Sequence, residues 1–497
     1  MADDTSKNSV ADDMGLEIFG AGGRRGQRAI FGGSESRQRR PRPNLTIREA
    51  ARETPVFAQT DVLVVGGGPA GTAAAVSAAR LGADVMLIER YGHLGGLSTG
   101  GLVIWIDRMT DWTGRPIITG FAAELLDRLP KDAVAGPPRA DWGAKDAATA
   151  EYWAYRTAAF QGIVTWSPTI DPEALKTLSM RLALETKVRL TLHAWAVQPI
   201  VEDGALRGAI FESKEGRQAV LAKVVVDTTG DADLLVRAGV AVDHDTDAND
   251  IHHCINTAFM LGGVDMERWT AFRAGDKQGF TDFMQRGRDA VKYFEKPFVS
   301  WRRDVALFMG PRLSGYSAVD VEDLTEVEIR SRELAVGHLE VYRAHAPGFE
   351  NAWLLLGAPQ IGVRHSRRFA AANKVTRQQW DAGTVWPDEI GVSTSPAPKW
   401  SNISVPYGSL VPTGLDGALG AGRHVACDAS SHTFLREIPQ CWLTGQAAGV
   451  AAALAVDGGI TPRALDPRVI QRALLKQGAY LSPSTVAALD LRSSAAE

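Results

Sequence analysis

The chain has 497 residues, 45% of them hydrophobic and 23% charged, with a formal net charge of -4. That length exceeds what one core organises, so two interleaved domains are expected. The near-neutral balance excludes a dedicated nucleic-acid binder or membrane-surface protein, and no apolar run is long and uncharged enough to span a bilayer.

Residues 1–43 read as a disordered basic tail. Residues 21–50 hold eight Arg against two Glu and no apolar periodicity, the pattern of a solvated arm. Arg24-Arg25 is not followed by an apolar stretch, so a secretory or twin-arginine signal is not expected. Cys254, Cys427 and Cys441 are far apart and form no CxxC pair. This spacing argues against disulfides, zinc and a dithiol centre, and it fits a reducing cytoplasm.

Organised structure is expected from about Asn44. Asp61–Val65 is an apolar run of strand length, and Thr72–Leu81 is an Ala-rich helix closed by Gly82. Val85–Ile88 is a second buried strand, which completes a βαβ unit. Asp171-Pro172 opens a helix to about Glu185. Strands follow near 188–192, 196–201, 209–212 and 220–226, with turns at Asp203-Gly204 and Glu215-Gly216. Residues 324–346 read as a long amphipathic helix opened by a Thr325–Glu328 capping box. Gly445–Val456 reads as an Ala-rich helix.

The strongest motif is Gly66-x-Gly68-Pro69-Ala70-Gly71, set between strand and helix, with Glu89 at the tip of the second strand. A bare GxGxxG is weak, but here the whole βαβ context is present. Gly66 permits the tight turn, Gly68 lets backbone approach a pyrophosphate, and Gly71 lets the helix pack on the sheet. The helix N-terminus offers unpaired N–H groups to the phosphates. Glu89 suits ribose hydroxyls and repels a 2′-phosphate. Three later stretches favour FAD over NAD in this site: the glycine-rich loop 90–101, the strand and polar turn 224–233, and Ala418–Arg423 followed by Gly445–Gly449.

These stretches, read as VVGGGPAG, ERYGHLGG, DTTGDAD, GVRHSRR, VPYGSLVP, GAGRHV and LREIPQCWLTGQAAG, resemble the FAD-dependent oxidoreductases with a glutathione-reductase-type FAD fold, related to fumarate reductase flavoproteins. The resemblance covers about Thr54 to Leu481. It implies an α/β architecture: a Rossmann-like three-layer ββα FAD domain (44–240 and 401–481), an α+β substrate or cap domain (241–400), and a C-terminal tail (482–497). By the same resemblance, Gly66, Gly68, Pro69, Ala70, Gly71, Glu89 and Arg90 hold the ADP half. Gly95, Gly96 and Ser98 line ribityl and flavin, and Val197 lies by adenine. Thr229, Gly230 and Asp231 lie near the adenosine–pyrophosphate region, and Gly422 and Arg423 near the ribityl-pyrophosphate. Gly445, Gln446 and Ala447 form a helix start facing the isoalloxazine. No attachment histidine directly before Leu-Gly-Gly is common in the family, so His93 is not expected to bind FAD covalently.

Relatives commonly carry an acidic residue where this chain has His365. A histidine there suits proton transfer near neutrality. His365, His252, His253 and His432 are therefore the proton-handling candidates, of which at most one of the adjacent pair His252-His253 faces inward in a strand. Arg364, Arg367 and Arg436 are candidates to anchor a carboxylate or an anionic flavin, with a structural ion pair the plainer reading of Arg367. Trp105 is a candidate wall of a substrate pocket.

No second GxGxxG and no CxxC is present, which disfavours dithiol–disulfide reduction. The first expectation is a dehydrogenase or oxidase that takes a hydride from a small organic substrate onto flavin N5, with oxygen or another acceptor reoxidising it. The alternatives are reduction of an activated alkene, an NAD(P)H-fed monooxygenase, and a non-catalytic flavin-binding or escort module. No metal, nucleic acid or membrane partner is expected, and self-association into a homo-oligomer is compatible with the sequence.

Overall fold

A computed structural model describes residues 42–243 and 254–493, the last three by backbone only. Most of the basic tail lies outside the described residues, as do His252 and His253. Regular structure starts at Val56 rather than Asn44, residues 42–55 having no helix or strand.

Strand β1 (Val56–Val65) runs longer than its apolar centre, and Val62–Val65 are almost fully buried. Helix α1 (Pro69–Ala79) and strand β2 (Val85–Ile88) complete the first unit. Helix α2 (Pro172–Glu185) begins with the Asp171 carboxylate accepting from the Glu173 and Ala174 amides. It leads to β3 (Arg189–Thr191), β4 (Trp195–Glu202), β5 (Ala205–Ser213) and β6 (Gly216–Asp227). A strand at Ala418–Gly420 completes a mixed seven-stranded sheet with the path β3-β2-β1-β6-β5-β4. β3, β2, β1 and β6 run parallel, while β4 and β5 form an antiparallel meander on the first half of β6. Parallel strands covered on both faces read as unbroken apolar runs, which is why β1, β2 and β6 were legible.

A second, antiparallel sheet has the order β8-β9-β7-β10. It comprises β7 (Phe259–Gly262), β8 (Phe298–Val299), β9 (Val305–Phe308) and β10 (Trp353–Gly357). Its inner face packs on helix α3 (Val321–His345) through a ring cluster around Trp269, Tyr342 and Phe308. The expected Thr325–Glu328 capping box is not formed. Asp320 caps α3 instead, accepting from Glu322 and Asp323 amides, and Thr325 Oγ1 donates to the Val321 carbonyl within the helix. A carboxylate one turn earlier satisfies the free N–H groups first.

The chain then returns to the first sheet through β11 (Ala418–Gly420), parallel to the end of β6, and helix α4 (Ile438–Asp457). α4 starts seven residues before Gly445. The segment expected as a tail from 482 holds a helix, Pro483–Ser493, docked by buried Leu489 and by the Ser482 amide donating to Glu389 Oε1 at 2.7 Å. Among the described residues no helix is long and apolar enough to cross a membrane.

Candidate active site

The turn between β1 and α1 is shaped by its glycines. Gly66 has φ +102°, and a Cβ there would sit 2.6 Å from the Thr228 carbonyl oxygen. A Cβ on Gly71 would lie 1.7 Å from the Gly66 carbonyl oxygen, so neither position accepts a side chain. Gly68 differs: the space where its Cβ would stand is open for 4 Å, leaving the backbone accessible from the cavity.

Two helices begin at this cavity. α1 and α4 pack side by side, with Gly445 against the Ala70 backbone and Gly449 against the Ala74 backbone. The same offset at both contacts means that the helices run parallel. α4 therefore reaches beyond the start of α1 by six residues, roughly 9 Å at 1.5 Å per residue. Neither N-terminus is closed by a side chain, whereas the helices after Asp171, Asp265, Asp320 and Asp428 are each capped by that aspartate. The fold thus presents two sets of free N–H groups with positive dipole, offset by about 9 Å along the helices, to one cavity. That spacing suits a pyrophosphate at α1 and an electron-rich ring edge at α4.

Glu89 lines the same cavity. Its carboxylate accepts from the Gly67 amide at 2.5 Å and the Tyr91 amide at 2.8 Å, which orients it. Burial raises its pKa, the two amide hydrogen bonds opposing that rise. Opposite, Asp227 organises the turn after β6. It accepts from Thr229 N and Oγ1 and from the Leu234 and Leu235 amides. Asp231 accepts from Arg423 Nη2 at 2.8 Å and from Ser366 Oγ at 2.5 Å. Although burial raises its pKa, these cationic and hydroxyl donors bring it below the ordinary value.

One cavity, open to solvent at its mouth, runs past both helix starts, with Gly66, Gly68 and Ala70 on its lining at α1 and Arg436, Glu437 and Ile438 at α4. Of the residues singled out in the sequence it gathers Gly66, Gly68, Pro69, Ala70, Glu89, Arg90, Gly96, Thr229, Gly230, Asp231, Gly422, Arg423, Arg364 and Arg436. Trp105 lines it as well, its indole within 5.5 Å of the Phe298 ring and 5.8 Å of the Phe160 ring.

Other expected residues lie elsewhere. Gly445, Gln446 and Ala447 are buried inside α4, not at its start. Gly445 serves the helix contact, and Gln446 accepts from the Phe121 amide at 3.2 Å, away from the cavity. The lining residues at the true start are Glu437, Ile438 and Cys441, and Pro439 in the first turn was the signal that marks it. Ser98 turns onto the Gly95 carbonyl at 2.7 Å, Gly95 acts in its own turn, and Gly71 lies in the first turn of α1 against the Gly66 carbonyl. Val197 is half-buried off the lining, where its neighbours Ala194, Trp195 and Ala196 stand. His93 stacks on Tyr91 at 5.5 Å and is also off the lining.

The histidines move most. His365 is buried behind the cavity, where it contacts Arg368 and packs on His432 with ring centroids 4.4 Å apart. Burial, then the facing His365, Arg436 and Arg368, holds His432 well below the usual histidine range. Arg367 is structural, donating to the Asp231 carbonyl at 2.7 Å and to Asp233 at 2.5 Å. Among the described lining residues, the ionisable acid at the α4 end is Glu437, beside Arg436 at 3.1 Å. Behind it, burial raises the pKa of Asp107, with the Glu437 charge adding to the rise against Arg108. Asn256, Phe298, Met309 and Gln360 also line this half and carry no signal in sequence, because they come from distant segments.

Residues 61–474 match the family described as FAD dependent oxidoreductase. A curated relative, digeranylgeranylglycerophospholipid reductase 2 of Methanopyrus kandleri, is 26% identical over 211 residues, covering 42% of this chain and 46% of the relative. The chain thus spans about half the length of that relative. Among solved structures, p-nitrophenol 4-monooxygenase PnpA of Pseudomonas putida DLL-E4 is 12% identical with TM-score 0.45, over 88% of this chain and 93% of that one. A geranylgeranyl bacteriochlorophyll reductase-like protein of Thermoplasma acidophilum is 14% identical with TM-score 0.40, over 84% and 82%. With a glycine turn, an oriented acidic residue and two open helix starts at one cavity, and a family match over most of its length, the chain belongs to the FAD-dependent oxidoreductase family and is an FAD-binding enzyme.

Proposed function

We propose that this enzyme is fed by NAD(P)H and acts through reduced FAD on a small organic substrate, oxygenation being the first reading. The observation that carries it is the make-up of the α4 half of the cavity. Trp105, Phe160, Phe298 and Met309 wall it, while His365 and His432 pack together behind it. Dehydrogenation of a substrate needs a base within hydrogen-bond reach of the proton removed. Of the histidines expected for that role, His365 and His432 are off the described lining. Oxygenation depends first on a dry, orienting pocket, which the ring wall provides.

FAD, when bound, supplies the electron-transfer chemistry. The protein's part is positional and electrostatic. The α1 amides would hold the FAD pyrophosphate, Glu89 would accept from its ribose hydroxyls, and the α4 start would offer positive charge to its ring. Glu437 holds or moves a proton at its carboxylate. Trp105 and Phe298 exclude water. Around this we read a three-layer ββα flavin domain, 44–240 with 401–481, closed by an α+β unit, 241–400. The narrower kinship with fumarate reductase flavoproteins rests on the motifs.

Reduction of an activated alkene is a second reading. It is favoured by Glu437, a carboxyl on the lining of the α4 half, where a proton donor to substrate must stand. Anaerobic titration of the holoenzyme with NADPH and NADH tests the first step shared by both. Bleaching of the flavin bands is expected. Bands that persist with both nicotinamides, yet bleach with an organic donor, return the protein to the dehydrogenases.

A further inference from the structure

The α4 half of the cavity carries more positive charge than its own carboxylates answer. Its described lining includes Arg273, Lys296, Arg312, Arg364 and Arg436 against Glu437. Three of these cations are engaged, Lys296 among them. Arg312 is held by Glu295 through Nε–Oε1 at 2.9 Å and Nη2–Oε2 at 3.1 Å, and Arg273 donates to the Tyr155 carbonyl at 3.3 Å. Arg364 and Arg436 differ. Nε of Arg364, and both Nε and Nη2 of Arg436, are buried and make no hydrogen bond among the described residues. The Arg436 side chain is only 7% exposed, and its ion pair with Glu437 leaves those donors unaligned. Burial, then the facing Arg364, pulls the Arg436 pKa down to about 10. Asn256 Nδ2 on the same lining is buried and has no hydrogen bond among the described residues either.

Buried donors left without acceptors are costly, and the like charges of Arg364 and Arg436 repel each other. An incoming pair of anionic oxygens relieves both, and the planar guanidinium matches a carboxylate in shape. Next to these donors stands the ring wall of Trp105, Phe298 and Met309, which accepts an apolar body. We infer that the substrate is an organic carboxylate, its anion held by Arg364 and Arg436 with Asn256 donating to it, and its apolar part lying on Trp105, Phe298 and Met309. This rests on the reading that substrate occupies the α4 half, but not on the direction of the redox reaction.

The test uses oxidised holoenzyme titrated with two acid–amide pairs, benzoate with benzamide and hexanoate with hexanamide. Binding is read by flavin difference spectrum and by calorimetry. At least one acid is expected to bind tighter than its amide by roughly tenfold or more, the effect of one charged hydrogen bond. In Arg364→Gln that preference falls towards one, and Arg364→Lys restores part of it. Arg436→Gln is expected to behave like Arg364→Gln, and if it fails to fold the Arg364 variants decide alone. Equal binding of acid and amide, no binding of either acid, or a preference unchanged in Arg364→Gln overturns the inference. Selection for carboxylate by a holoenzyme that NAD(P)H does not reduce sinks the proposed function and leaves this inference standing. Rapid reduction without carboxylate selection does the reverse.

Discussion

Gly445→Ala separates a packing glycine from one that faces the cofactor. In the middle of α4 the substitution by itself favours the helix by about 1 kcal/mol. The new Cβ, however, meets the Ala70 carbonyl oxygen at 2.2 Å, its Cα at 2.6 Å and its carbonyl carbon at 2.7 Å. These are backbone atoms, so no rotamer change clears them. α1 and α4 must separate by roughly 1 Å, loosening the Ala70–Gly445 and Ala74–Gly449 contacts together. Overpacking of this kind costs about 1–3 kcal/mol, and a backbone clash belongs at the upper end, leaving a net loss of about 1–2 kcal/mol. Urea unfolding of the FAD-free protein measures it as a lower midpoint at unchanged slope. FAD affinity should also fall, because the α1 start moves. An apoprotein that is as stable as wild type or more so, with FAD binding alone impaired, refutes the packing account and restores a ring-facing glycine.

Other outcomes follow from the same geometry. Glu89→Gln keeps the shape but loses the charged acceptor, so FAD should bind about 1.5–3 kcal/mol more weakly, read by fluorescence on reconstitution. His432 is held neutral by burial, so the unfolded chain takes up its proton first as pH falls below 6.5. Its contribution is therefore present above that pH and lost below it, by about 1.4 kcal/mol per pH unit, and His432→Asn should flatten the stability profile in that window. Burial also pushes the Cys441 thiol up to about 12 and raises Cys254. A disulfide reagent at pH 8 should leave all three cysteines of the folded protein unlabelled and titrate them in urea; fast labelling of the native protein would contradict their burial.

The nucleotide half of the site was legible because its parts are local. A strand, a glycine turn, a helix and an acid at the next strand tip lie in one short stretch, and their spacing alone carries the physics of phosphate and ribose binding. The buried parallel strands were legible for a related reason, since their apolar runs need no partner to be recognised. The α4 half is different. Trp105, Asn256, Phe298, Arg364 and Glu437 come from widely separated segments, and only the tertiary fold brings them to one wall. His365 shows the limit of reading residue type: histidine in a family motif suits catalysis, yet the turn it occupies directs it onto His432 and Arg368. Gly445 shows the limit of reading spacing. A glycine within an Ala-rich run is compatible with a helix start or a helix crossing, and the choice depends on where α1 lies against it. The sequence by itself therefore determined the cofactor and the βαβ frame. The tertiary structure alone decided which side chains face the substrate, because that depends on contacts between segments hundreds of residues apart.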